Sequence, residues 1–337
     1  MAEIGLLVGR DRTFSDAILA RVNARPEPVT AEYITVGGVR MAAPPGYAVI
    51  LDRIAHKVPF YLSYLKNAAA CGTVVVNDPF WQLNDDHFLA VAMAKRLDVP
   101  VVKTLLVPNR EHVAGVVPES LRNRMETLDW VGAMAYLGFP LVMRPNAGDW
   151  DSRAVLVHSA EELLACWNSS GVNQYILQET VMTNRFARCL VIGESVRILP
   201  WPAPEVYGLD SVPPGTTTAS MLTTEEADRL ADWAKQLSTA LGHTLNAVDF
   251  ALTDAGPVAV SLTANDPDLS PARLGPEPFA WMVNRVTEFL VRQALPFVID
   301  AATGEPMAAR DRQQKYRWDA PASAPASAPA IDPHQPA

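Results

Sequence analysis

Three cysteines in 337 residues are too few and too scattered for a covalent or metal-bound framework. Cys71, Cys166 and Cys189 are odd in number and have no second Cys or His at ligand spacing, which excludes a disulfide frame and a zinc site. They read as reduced core thiols of a cytosolic protein. No apolar run approaches the roughly 20 residues that crossing a bilayer requires. The opening Met1-Ala2-Glu3-Ile4 has no basic segment ahead of a hydrophobic one, so the expectation is a cytoplasmic protein with no membrane partner. Charged residues make up only 19% and sum to a net charge of -9. A nucleic acid partner is excluded on that ground, because such binding needs clustered Lys and Arg to displace phosphate counterions. Gly9 lacks the following glycines that let a backbone approach a pyrophosphate, which removes a dinucleotide-dependent dehydrogenase from consideration.

What is present is a hydrophobic fraction of 49%, enough to offset chain entropy in a globular body. Single cores stop growing near roughly 250 residues, so this length predicts two or three subdomains with a cleft between them. Short apolar runs at 4–9, 31–36, 47–51 and 73–76 alternate with helical spacing at 14–22 and 60–70, which predicts a wound parallel sheet over 1–108. A helix over 85–97 follows, with Asn84 or Asp85 as N-cap, and then an extended piece at 101–107.

Further along, 130–137 is an amphipathic helix closed by Gly138, and strands are predicted at 139–143, 154–157 and 174–177 around a helix at 160–167. A hairpin at 190–199 turns on Gly193-Glu194-Ser195, and the Pro- and Gly-rich 200–218 reads as a long loop. Thr223 and Glu226 form a capping box for a helix ending at Gly242. Strands at 248–252 and 258–262 and a last helix over 279–295 complete the pattern. From about 300 the Ala-Pro-Ala-Ser repeats predict a disordered tail.

The order and spacing of several phrases carry a family resemblance. Asp86-His87 opens a helix, and Leu97-Asp98-Val99-Pro100 precedes a strand. Then come Gly138-Phe139-Pro140-Leu141-Val142-Met143-Arg144-Pro145, Ile176-Leu177-Gln178-Glu179, Arg188-Cys189-Leu190-Val191-Ile192-Gly193 and Val248-Asp249-Phe250. Together these resemble the ATP-grasp superfamily, which includes glutathione synthetase and D-alanine:D-alanine ligase. The resemblance implies an α/β fold: an N-terminal wound parallel-sheet domain at 1–108, a small lobe at 109–180, a large lobe at 181–299 and the tail at 300–337. It also implies ATP and Mg2+ as cofactors, a carboxylate and an amine or thiol as substrates joined through an acylphosphate, and a homodimer.

Carried over residue by residue, the resemblance puts Gln178 and Glu179 with the backbone of Thr180 and Val181 at the adenine and ribose. It puts Arg144 and His87 at the two phosphate-binding lysine positions, and Arg153 in the flap at 146–153. Asp249 takes the first metal position, with Asn265 brought in by a two-residue slip. Departures are concentrated at the charged positions. Arg144 replaces a point charge with a planar fork, and His87 brings no permanent charge at pH 7 and reads as a helix-surface residue. The strand after Asp249 reads Ser261, Thr263 and Asn265 on one face, with no carboxylate where the family has one. Arg188 reads as a catalytic or phosphate-binding group, or as the partner of an acid such as Glu179. Arg53, His56 and Lys57, after an early strand, read as a second-substrate group or a solvated loop. Two functional readings stand: an ATP-dependent carbon–nitrogen ligase, or a degenerate relative that keeps the fold and acts as a binding or regulatory partner.

Overall fold

The computed structural model describes residues 1–81, 86–123, 128–148, 153–207 and 216–298. The expected N-cap at Asn84 or Asp85, the middle of the flap, Trp150, the 208–215 part of the long loop and the tail from 300 lie outside the described residues.

The first sheet is parallel. Its strands β1 (Ala2–Leu7), β2 (Val29–Tyr33), β3 (Val49–Asp52) and β4 (Val74–Val76) stand in the order β2-β1-β3-β4, joined by α1 (Thr13–Asn23) and, between the last two, α2 (Pro59–Ala70). Both faces are covered by helices, which is why β3 is buried at all four positions and reads as a continuous apolar run. Next, α3 (His87–Arg96) starts on an Asp86 side chain that accepts a hydrogen bond from the Leu89 N–H, so the cap falls at Asp86 rather than at Asn84 or Asp85.

The second sheet is antiparallel and forms the small lobe. It comprises β5 (Thr104–Val107), β6 (Leu141–Pro145), β7 (Val155–Val157) and β8 (Tyr175–Glu179) in the order β5-β8-β6-β7, with α4 (Trp130–Leu137) and α5 (Ala160–Asn168) against it. β5 pairs with β8, so Thr104–Val107 is an edge strand of this sheet. Gly138 closes α4 with a φ of +74°, the left-handed region where a Cβ is penalised.

The third sheet, also antiparallel, is the large lobe: β9 (Phe186–Ile192), β10 (Ser195–Trp201), β11 (Leu245–Thr253) and β12 (Gly256–Ser261) in the order β10-β9-β11-β12. Between β10 and β11 lie α6 (Thr218–Met221) and α7 (Thr224–Ala240), the latter capped reciprocally by Thr223 and Glu226 as its sequence requires. The short α8 (Pro271–Leu274) leads into α9 (Pro276–Ala294), which starts three residues earlier than periodicity suggests because Pro276 is compatible with a first helical position.

Alternation divides the third sheet into two faces. Ala187, Cys189, Val191, Val248 and Phe250 pack under α7. Phe186, Leu190, Ile192, Ala247 and Ala251 face α9 and share one core with the parallel sheet. Phe186 and Phe250 are fully buried on opposite faces, each contributing about 1.5–3 kcal/mol. Of the cysteines, Cys189 is buried and Cys71 and Cys166 are half-buried; all three are free thiols. No helix among the described residues is long and apolar enough to cross a membrane.

Candidate functional site

The structure gathers the residues singled out from the sequence into separate groups. The first joins β6 to the start of α3. Asn146, just past β6, accepts a hydrogen bond at Oδ1 from the Phe88 N–H and donates from Nδ2 to Asp86 Oδ1 at 3.0 Å and to Gln174 Oε1 at 2.9 Å. Its carbonyl accepts from the His87 N–H. This network draws His87 beside Arg144, and both are buried, at 2% exposure each. His87 is therefore not on the helix surface, as the sequence suggested. Burial, and after it the Arg144 charge, push its imidazole down to about 4, leaving it neutral near pH 7. The two residues expected from the resemblance at the phosphates lie side by side, and only Arg144 brings a charge near pH 7. Arg153 is exposed ahead of β7, with a φ of +55° and no described partner that ties it to this group.

The second group is the hinge at the end of β8. Gln178 is buried and donates from Nε2 to Thr104 Oγ1 at 3.0 Å. Glu179 accepts at Oε1 from the Lys103 N–H at 2.8 Å, with Oε2 3.3 Å from Lys103 Nζ, and its own N–H donates to the Lys103 carbonyl. Thr180 donates from Oγ1 to the Pro140 carbonyl, and the Val181 carbonyl accepts from the Thr183 N–H. Lys103 is the residue here that sequence reasoning missed. The available signal was a cation immediately before a strand whose partner strand ends in an acid.

The third group lies on the large lobe. β9 and β11 pair Arg188 directly with Asp249, and the side chains meet: Nε is 2.6 Å from Oδ1 and Nη2 is 2.7 Å from Oδ2. The pair is largely buried on the face that looks toward α9. The Arg188 guanidinium also lies 3.7 Å from the ring centre of Trp201, a buried residue on β10. Arg188 thus pairs with Asp249 rather than with Glu179.

Across from Asp249, β12 presents Ser261. Asn265 lies beyond the end of β12, where the slip proposed from sequence does not bring it into the strand. Asn246 fixes that ending by donating to the Leu262 carbonyl and accepting from the Ala264 N–H. Asp266 and Asp268, the other acids nearby, are committed elsewhere. Asp266 contacts Arg53 Nε at 2.6 Å, and Asp268 accepts from the Ser270 N–H. A hard dication needs several anionic oxygens near 2.0 to 2.1 Å if it is Mg2+. Here one carboxylate is already neutralised by an arginine, and among the described residues no cluster of three metal-binding side chains occurs. As it stands, with Asp249 held by Arg188 and Asn265 beyond the strand, this donor set does not fit magnesium.

Of Arg53, His56 and Lys57, Lys57 is exposed and His56 half-buried, while Arg53 is engaged in the fold. Besides Asp266, Arg53 donates from Nη2 to the Pro267 carbonyl and lies over the Phe14 ring, clamping the end of β3 to the segment after β12. Burial raises the Asp266 carboxyl, with the Arg53 charge opposing that shift.

No family model matches the chain, and no curated protein matches it in sequence. Solved structures share its fold. An ATP-grasp RimK domain protein of Sphaerobacter thermophilus is 19% identical with a TM-score of 0.59, covering 86% of this chain and 100% of its own. The D-alanine–D-alanine ligase of Bacillus anthracis, solved with ATP, is 13% identical with a TM-score of 0.58 over 88% of this chain and 97% of its own. PsnB, an ATP-grasp ligase solved with a minimal precursor, Mg and ADP, is 16% identical with a TM-score of 0.58 over 86% and 97%. The chain has the ATP-grasp fold.

Proposed function

We propose that this chain keeps the ATP-grasp fold and binds a nucleotide or similar anion at its hinge, but performs no magnesium-dependent acylphosphate transfer, and so acts as a binding or regulatory partner. The observation that carries this reading is the two-point grip of Arg188 on Asp249 opposite Ser261. Phosphoryl transfer spreads charge over oxygens that fixed cations and metal ions must hold. In this chain the acid that would recruit the metal is held by a guanidinium, and one of the two phosphate positions is a neutral imidazole.

Nucleotide binding would fall to Arg144 at the phosphates and to the edge formed by Gln178, Glu179, Thr180 and Val181 at the base. Arg144 is permanently charged and sits on β6, which pairs with β8, opposite Ile176 and two residues short of Gln178 in that register. When bound, ATP would supply a triphosphate and a base to be held, and these residues would orient them.

Calorimetry tests the proposal: ATP titrated in EDTA and then in excess Mg2+, with ADP release followed alongside. Binding equal in the two buffers, with no ADP formed, is the expected result. The ligase reading is favoured by one observation, the Lys103–Glu179 pairing that holds the hinge at the end of β8 together. Binding that requires Mg2+ and disappears in Asp249→Ala would establish it instead.

A further inference from the structure

A hollow of about 590 Å³ runs along the seam where α1, from the first domain, packs on the first half of α9. Ala17, Ala20 and Ala24 on α1 and Ala280 on α9 leave the seam without a long side chain to fill it, and Phe279 and Val283 give it an apolar wall. Two arginines edge it. Arg25 is held by both carboxylate oxygens of Glu27, whereas Arg21 has no hydrogen-bond or ion-pair partner among the described residues. An apolar hollow beside an unmatched cation fits a large apolar side chain with an acid next to it.

The chain itself carries such a pair. Residues 299–337 follow α9, and Trp318 is the tryptophan among them, with Asp319 directly after it. Reach is ample. Residues 299–317 can span up to about 60 Å at roughly 3.3 Å each, and the hollow lies about 20 Å back along α9 at roughly 1.5 Å per residue. Tethering raises the concentration at which the two meet to roughly millimolar, so a small contact suffices. The alternatives in the same stretch are less suited. Tyr316 has a cation on either side, Lys315 and Arg317, and no adjacent acid, while Ile331, ahead of Asp332, buries less area than an indole.

We infer that the segment around Trp318 and Asp319 docks in this hollow, with the indole between α1 and α9 and the Asp319 carboxylate on Arg21. The docked segment touches the first domain and the helix that follows the large lobe at once, and so staples the two together. The contact involves none of the residues assigned to the nucleotide.

Fluorine NMR of the full chain labelled with fluorotryptophan tests this, with the Trp318 resonance assigned by Trp318→Phe and a labelled synthetic peptide of residues 310–325 as the unbound reference. In the parent the resonance should be displaced from the peptide position and should lose the H2O-to-D2O shift of an exposed ring. Ala20→Glu, which fills the hollow and repels Asp319, should return it to the peptide position, and so should Asp319→Arg. Joining Arg21→Asp to Asp319→Arg should restore the displaced position. The remaining tryptophan resonances report whether each variant is folded, and Asp319→Arg reads the contact even where the change in α1 disturbs the helix. Trp318 at the peptide position in the parent, or a displacement that survives both single variants, overturns the inference. A displacement lost on serial dilution overturns it too, since the hollow is then filled by a second copy.

Discussion

Arg188 holds Asp249 by both carboxylate oxygens, at 2.6 and 2.7 Å, from the residue directly opposite on the neighbouring strand. In the ATP-grasp arrangement implied by the sequence, that acid would recruit a metal. The pairing makes Asp249 and Arg188 a largely buried, mutually neutralised unit on an apolar sheet face. Several consequences can be measured.

Arg188→Met should destabilise the chain by about 3–5 kcal/mol, because it leaves an uncompensated buried carboxylate. The double change Arg188→Met with Asp249→Leu should cost much less, since no charge is left behind. Urea unfolding of the parent, the single and the double variant reads both quantities, and equal losses in the two variants would contradict the pairing argument.

Magnesium should leave the thermal midpoint of the parent where EDTA leaves it, since a ligand that does not bind the native state cannot stabilise it. The variant Arg188→Gln with Ser261→Glu frees Asp249 and sets a second carboxylate across from it. Its midpoint should rise with millimolar Mg2+. Thermal scans in both buffers decide the matter, and a Mg2+ shift in the parent would restore the metal site.

Acid should weaken the fold through two histidines. Burial is the main force that pushes His87 and His243 down to about 4, against an ordinary value near 6.5. Between those values the unfolded chain binds protons that the folded chain refuses. The stabilisation is therefore fully present above about 6.5 and is lost as the pH falls through about 4. Each histidine contributes a slope of at most about 1.4 kcal/mol per pH unit in that window. Urea unfolding at several pH values should show a shallower slope in His243→Gln than in the parent, a comparison that cancels the carboxylates common to both.

Asn77→Ala should cost about 2–3 kcal/mol. Its buried side chain accepts from the Thr244 and Leu245 N–H groups and donates to the Leu245 carbonyl, joining the end of β4 to the start of β11. Removing it strands backbone donors that water reaches poorly. An unchanged urea midpoint would mean that these hydrogen bonds are replaced at no cost.

What the sequence revealed was local. The helix at 130–137, its Gly138 end and the Thr223–Glu226 capping box are set by neighbours a few residues apart, and they appear where periodicity and capping rules put them. The site depends on pairings across the chain. Arg188 and Asp249 are 61 residues apart, and their meeting depends on the register of β9 and β11, which no local pattern encodes. A partial signal was present: each is a charge in an otherwise apolar strand, and such charges seek one another. His87 was misread for the same reason, because the Asn146 network that buries it reaches across 58 residues to Phe88. The end of β12 slipped past prediction because Asn246, from another strand, determines where its pairing stops.

The small lobe is one uninterrupted stretch of chain, so it hangs from the rest by only two passages, which cross where Lys103 and Glu179 clasp each other's backbone and side chains. That crossing is a door pin. Opposite it, Asn146 catches Asp86 and Phe88 at the head of α3, a helix packed on the large lobe, and serves as the bolt. The small lobe is thus tied to the rest of the fold at two places far apart in sequence, the Lys103–Glu179 crossing and the Asn146 contacts to the head of α3.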